Sequence, residues 1–185
     1  MSAAEAYWSA ARWLSTNIQT TNAKGEGFVQ KGGYFEMRAK FSRGPGAWYA
    51  FWLHSVPKKD DPKSWFAEID AVEAYAGSPG ILHSTVHLWR TPRKSDDDPN
   101  GHWSSGTRVR VAGMFDGFHT YGVEVTDDWI IFYYDRKETS RVEKLPEFDV
   151  PLYMLVSLAL NPGESEKAQG VMEMPLDYVK VWQKN

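Results

Sequence analysis

Three carboxylates stand close together in Glu68-Ile-Asp-Ala-Val-Glu73. In a regular strand alternate residues share a face, so Glu68 and Asp70 point together while Glu73 points away. A β-bulge at Ala71-Val72 absorbs one residue and returns Glu73 to their side. Glu68 and Glu73 then lie about four strand rises apart, roughly 13 Å between Cα atoms. If each side chain reaches ~4 Å toward the other, the carboxyl groups end ~5 Å apart, near the ~5–5.5 Å of retaining glycosidases and below the ~6.5–9.5 Å of inverting ones. Three acids this close cannot all ionise cheaply, so at least one has a raised pKa. One group held protonated as an acid and another ionised as a nucleophile is the division such chemistry needs. Taken alone, the triplet reads as readily as an exposed acidic strand face paired with Lys or Arg. Its flanks favour chemistry: Ile69, Ala71 and Val72 suit a strand, and Trp48, Trp52, Trp65, Tyr75 and Trp89 lie nearby in the chain.

The elements that position these acids read as strands. Gly, Pro, Asn and Asp punctuate the chain every ten residues or so, with β-branched and aromatic segments between, the pattern of an all-β sandwich or barrel. In Gly33 to Phe41, Phe35, Met37, Ala39 and Phe41 form one face and Glu36, Arg38 and Lys40 the other. Ala47 to Leu53 is a continuous apolar run, which predicts a central strand covered on both faces. Thr120–Val125 and Asp128–Tyr134 predict a hairpin, Asp135-Arg-Lys137 a further turn, and Leu152–Leu160 and Met172–Trp182 the last two strands. Ala3 to Leu14 has helix propensity from its alanines. Thr91 to Trp103 is too polar for a strand and predicts a long loop, a common place for function. Within it, Asp96, Asp97 and Asp98 are expected to be a solvated tip, lacking the spacing of a calcium-binding loop.

The 185 residues suit one hydrophobic core, and no repeat or linker divides them, so a single domain over 1–185 is expected. Net charge of -3 gives no basic footprint for nucleic acid. No apolar run approaches the ~20 residues of a membrane span. With no Cys and five scattered His, no metal-ligand spacing emerges, and neither a phosphate loop nor a Ser-His-Asp set is present. The nine Trp are unusual, and some are candidates for stacking on sugars. Trp48 and Trp52 share a strand face and could flank a cleft; Trp89 and Trp103 bracket the long loop. His87 shares a face with Trp89 and could bond a sugar hydroxyl, whereas His119 is expected to be structural. Arg38 and Glu36, on the polar side of their strand, are further candidates for sugar hydroxyls.

At this point the chain resembles glycoside hydrolase family 16, the laminarinases, lichenases and related β-glycanases, from about Gly27 onward. Gly33-Tyr-Phe-Glu-Met-Arg-Ala-Lys40 is similar to the family's "GYFE-R-K" strand, and Trp48-Tyr-Ala-Phe-Trp-Leu53 to its "WPAFWL" strand, with Tyr49 where Pro is usual. Glu68-Ile-Asp-Ala-Val-Glu73 matches E-[IL]-D-x-x-E, and Ser84-Thr-Val-His-Leu-Trp89, Phe118-His-Thr-Tyr-Gly122 and Asp177-Tyr-Val-Lys-Val181 follow in order. The resemblance implies a concanavalin A-like β-jelly-roll sandwich with a concave substrate cleft. It implies Glu68 as nucleophile, Glu73 as general acid/base and Asp70 as the residue that tunes their protonation. The two residues at Ala71-Val72 are the bulged form typical of the laminarinase-like branch. Ser157, where many laminarinases have Asn, and Asn161-Pro-Gly-Glu after it look closer to bacterial exopolysaccharide glycanases. The family domain is usually longer, so its N-terminal strands are expected to be shortened or missing here.

The expected activity is retaining hydrolysis of β-1,3 or mixed β-1,3/1,4 glucan, or of a related bacterial exopolysaccharide. The alternatives are a non-catalytic carbohydrate-binding module on the same sandwich and a transglycosylase. No cofactor is expected; in many family members an acid of the last strand, here Asp177, serves a structural calcium, which is the minority expectation. The expected partner is polysaccharide alone, without nucleic acid or membrane, and the protein is expected to be a monomer. It is expected to be secreted or periplasmic, the signal peptide lying outside this chain, because Met1 to Trp8 has neither a basic nor an apolar signal region.

Overall fold

The computed structural model describes residues 15–22, 24–56, 65–90, 101–168 and 170–183. Among them the strands run β1 (Thr16–Gln19), β2 (Gly33–Ala39), β3 (Ala47–Ser55), β4 (Trp65–Tyr75), β5 (Ile81–Arg90), β6 (His102–Arg110), β7 (His119–Val125), β8 (Trp129–Tyr134), β9 (Lys137–Glu143), β10 (Leu152–Leu160) and β11 (Leu176–Trp182). They form two antiparallel sheets, β1-β10-β3-β4-β5-β6 and β11-β2-β7-β8-β9, packed as a jelly-roll sandwich. The first carries the cleft; the second is its backing.

Alternation decides which side chains meet between the sheets. Phe35, Met37, Ala39 and Phe41 are all fully buried, as their spacing predicts. Phe41 is stacked between Tyr49 of β3 and Tyr121 of β7, with centroids 4.6 and 4.5 Å away and rings within 9° and 11° of parallel. Tyr49, at the position where the related motif has Pro, thus fills the core, and its hydroxyl bonds the Ser42 carbonyl and side chain. β3 is central, between β10 and β4. Only one of its faces is covered by the other sheet, however: Tyr49, Phe51 and Leu53 enter the core, while Trp48, Ala50 and Trp52 floor the cleft.

Several boundaries differ from the sequence expectation. β11 starts at Leu176 and not at Met172, because Pro175 cannot donate to a ladder. β6 takes in His102 and Trp103, the end of the stretch expected to be loop; ladder pairing with β5 overrides their polar context. β1, whose polar Thr-Asn-Ile-Gln gives no period-two signal, adds to the β10 edge of the cleft sheet. The expected helix-prone segment 3–14 and loop residues 91–100 lie outside the described residues.

The backing sheet holds a buried charge on its outward face. Glu36 is fully buried there, accepting two bonds of 3.0 Å from the Arg136 guanidinium and one each from the Tyr34 and Tyr178 hydroxyls. Burial pushes the Glu36 carboxyl up, but these four donors outweigh it and hold it below the usual carboxylate range. Arg136 reaches this position from the β8–β9 turn, where Asp135 and Arg136 adopt φ of 48° and 60°. Such left-handed pairs match the twist of a two-residue hairpin. Arg136→Ala therefore strands a buried carboxylate and should lower Tm by several degrees in a thermal melt. Arg136→Lys should recover only part of the loss, because an ammonium cannot make the two-pronged contact.

Candidate active site

The acids converge because β4 bulges where the triplet requires it. On the β3 side Phe51 pairs with Val72 and Trp52 with Asp70, skipping Ala71. On the β5 side the register passes from Asp70↔Thr85 to Glu73↔His83, two residues of β4 opposing Ser84 alone. The Ser84 hydroxyl donates to the Ala71 carbonyl at 3.0 Å, satisfying a backbone group that the bulge frees from the ladder. Ala71 and Val72 both stay buried, at 3% and 1% exposure. Glu68, Asp70 and Glu73 consequently line one cavity of about 410 Å³ with Trp48, Ala50, Trp52, Tyr75, His87, Ser157 and Ala159.

Aromatic donors fix the outer two acids. The Trp48 indole and the Tyr75 hydroxyl both donate to Glu73 Oε1, each at 3.0 Å. The Trp89 indole donates to Glu68 Oε2 at 3.2 Å. Between them, Asp70 is 6% exposed, with His87 Nε2 at 3.2 Å from its Oδ2. His87 Nδ1 is hydrogen-bonded to His102 Nε2 at 2.8 Å, and the His102 ring stacks on Trp89 at 3.7 Å. On the far wall the Trp52 indole donates to the Ser157 hydroxyl at 2.9 Å, which donates to Asn17 Oδ1 at 3.2 Å, so the edge strand β1 helps to orient Trp52.

Burial and charge repulsion together set the protonation of this cleft. Burial first, and the Asp70 carboxylate second, raise Glu68 to about 7, against partial relief from His87 and the Trp89 N–H. The same two causes raise Glu73, against its bonds from Tyr75 and Trp48. Burial lowers the His87 imidazole, but the surrounding acids, Asp70 foremost, overcome it and raise its pKa. At neutral pH the cluster thus shares protons among closely coupled groups.

Six of the residues singled out in the sequence meet here: Glu68, Asp70, Glu73, Trp48, Trp52 and His87; Trp89 joins them through its bond to Glu68. Two do not. Arg38 lies on β2 in the backing sheet, ion-paired with Asp177 and set over the Phe118 ring at 4.8 Å. Its strand's polar face points away from the cleft, a fact that alternation alone leaves open. Trp103 is paired with core-facing Leu88, so it sits on the sheet face opposite Trp89. Glu36 is likewise outside the cleft, and His119 bonds Asp135 and the Gly113 carbonyl in the backing sheet, as a structural histidine does. Tyr75, His102, Ser157 and Asn17 were not singled out as site residues. Tyr75 was accessible by period two, being two residues beyond Glu73; the Asn17 contact depends on a strand with no sequence signal.

Glu68, Asp70 and His87 offer ligand atoms within 4.8 Å of one another, the metal-like grouping found among the described residues. His87 already bonds Asp70 and Glu68 already accepts from Trp89, so hydrogen bonding accounts for the arrangement.

Residues 6–180 match the family model "Glycosyl hydrolases family 16". The chain is 35% identical over 158 residues to the endo-1,3-1,4-beta-glycanases EglC and ExsH of Rhizobium meliloti, covering 84% of this chain and 31% of each. It therefore spans about a third of the length of these curated relatives. A solved structure of SCLam, a non-specific endo-beta-1,3(4)-glucanase, superposes with a TM-score of 0.68 at 26% identity, over 85% of this chain and 62% of that one.

The raised Glu68 carboxyl bears on stability. A carboxyl harder to ionise folded than unfolded costs stability once the pH exceeds its ordinary 4.5, and the cost grows until about 7. Glu68→Gln keeps an acceptor for Trp89 and removes that charge. Its unfolding free energy should match the parent near pH 4 and exceed it increasingly up to pH 7, by on the order of 3 kcal/mol at most, as read from denaturant melts at each pH. A constant gap across that range would contradict the cluster's electrostatics.

Proposed function

The chain belongs to glycosyl hydrolase family 16, and from that membership we propose that it is a retaining endo-β-glycanase cutting β-1,3 or mixed β-1,3/1,4 glucan, or a bacterial exopolysaccharide of like backbone. The observation that carries this reading is the β4 bulge, which gathers Glu68, Asp70 and Glu73 on one cleft wall. Glu73 donates its proton to the glycosidic oxygen while the Glu68 carboxylate attacks the anomeric carbon, breaking the bond and forming a glycosyl ester. Water then attacks the same carbon, Glu73 takes its proton, and Glu68 leaves as carboxylate. Asp70, held by His87, supplies the negative charge that keeps a proton on Glu73.

That charge raises Glu68 as well, although Glu68 must be ionised to attack. The productive microstate has the proton on Glu73 and the charge on Glu68; the Trp89 N–H and a protonated His87 stabilise the Glu68 carboxylate, while the Trp48 and Tyr75 donors on Glu73 pull the other way.

The substrate class follows from what the cleft presents. Its described lining holds three acids and one His, with no Arg or Lys, so a backbone bearing sulfate or carboxylate groups meets repulsion. Trp48 and Trp52 offer flat apolar faces to sugar rings. EglC and ExsH are named for 1,3-1,4-β-glycan cleavage, which supports a backbone of β-1,3 and β-1,4 linkages. Work on such a polymer is extracellular or periplasmic work; among the described residues no helix is long and apolar enough to cross a membrane. A non-catalytic binding module on this sandwich would have no use for a bulged strand carrying three coupled acids.

The test is reducing-sugar release from laminarin, lichenan, a neutral exopolysaccharide and a sulfated galactan. The parent chain should cut at least one neutral polymer and leave the sulfated one, with kcat/KM falling as the pH drops through about 7. Glu68→Gln and Glu73→Gln should each reduce turnover by about a thousandfold or more without loss of the folded state. Near-normal activity in either variant would overturn the assignment.

A further inference from the structure

Outward-facing positions of an antiparallel sheet are ordinarily polar. The outer face of the backing sheet instead carries Trp182 of β11, Tyr34 of β2 and Tyr133 of β8 in lateral succession. Tyr34 lies 5.5 Å from Trp182 and 5.4 Å from Tyr133, centroid to centroid. The row crosses β7 at Gly122, where a Cβ would collide with the Tyr34 ring, so the glycine is what lets the two tyrosines meet. The rings are also locked: the Tyr34 hydroxyl donates to buried Glu36 at 3.0 Å and that of Tyr133 to Glu124 at 2.8 Å. Trp182, at the open end, remains 44% exposed.

A second cavity, of about 380 Å³, is lined by Lys31, Glu124, Asp127, Lys144, Asp149 and Gln183 among others, and adjoins the row through Glu124 and Gln183, not through the rings themselves. Glu124 is the cross-strand neighbour of Tyr34, and Gln183 follows Trp182 in the chain. Asp149 pairs with Lys31 at 2.8 Å and with Lys144 at 3.3 Å, so the cavity presents alternating donors and acceptors and little net field.

We infer that this face is a second, non-catalytic site for a neutral glycan strand. A sugar ring has an apolar C–H face and a rim of hydroxyls; the Trp182 indole meets the first and the carboxylate, amide and ammonium groups meet the second. Mutual neutralisation of the charges disfavours an anionic polymer, and rings held in advance by hydrogen bonds lose little entropy on binding. The face lies on the opposite sheet from the cleft, so a polymer engaged at both gains avidity while a short oligosaccharide does not. The choice of glycan rests on the reading of the cleft given above; the location of the site does not.

The test uses the full chain carrying Glu68→Gln, to prevent turnover, mixed with particles of insoluble β-1,3-glucan. Adding Trp182→Ala should weaken retention by at least about fivefold, and Trp182→Phe should restore most of it. In the active chain, Trp182→Ala should leave kcat/KM on a short soluble β-glucan oligosaccharide unchanged. Gln183→Ala, at an exposed position, serves if the edge strand does not tolerate the Trp182 change, and should also weaken retention. Retention unaffected by either variant overturns the inference, as does a change in self-association with glucan binding intact, which would make the face a protein interface. A chain inactive on every β-glucan yet dependent on Trp182 for retention would sink the catalytic reading and leave this one standing.

Discussion

One extra residue in β4 governs the rest of the site. Without it the outer acids of the triplet point to opposite faces, one into the cleft and one into a core of Phe51, Ile69 and their neighbours, where an unpaired carboxylate is untenable. With it, Glu68, Asp70 and Glu73 share a wall, while Ala71 and Val72 both remain under cover. The bulge is itself held: Ser84 bonds the carbonyl it exposes, and β3 and β5 flank it on either side. Cleft geometry and core packing are therefore the same fact about a single strand.

The sandwich carries the resulting electrostatic stress by dividing labour between its sheets. The cleft sheet tolerates three acids because indole and phenol donors and the His87 imidazole surround them, with His54 Nε2 4.0 Å from Glu68, yet Glu68 and Glu73 both remain raised. The backing sheet shows the opposite solution, a buried Glu36 so fully paired that its carboxyl is held down. The first arrangement keeps protons available for transfer; the second removes a proton permanently and fixes a surface.

Much of this was legible from residue order. The alternation of Phe35, Met37, Ala39 and Phe41 predicted a buried face, and the one-residue surplus before Glu73 predicted the bulge. What was not legible depends on which sheet a strand joins. Arg38 sits on the polar strand face that alternation predicts, and Trp103, expected in a loop, sits on β6; period two says nothing about whether a face looks onto the cleft or away from it. β1 has no sequence signature because a four-residue edge strand exposed along its whole length, Ile18 included, needs no hydrophobic pattern. The continuous apolar run of β3 was legible as a central strand, yet half of its aromatic residues serve the cleft.

The indole N–H groups of Trp48, Trp89 and Trp52 end on Glu73, Glu68 and Ser157 respectively, and His102 lies flat on Trp89. Changes of protonation at Glu73, at Glu68 and at His102 thus occur in direct contact with an indole. The cleft carries an optical indicator of its own ionisation state, so its proton inventory can be followed by ultraviolet emission in the unlabelled protein, substrate present or absent.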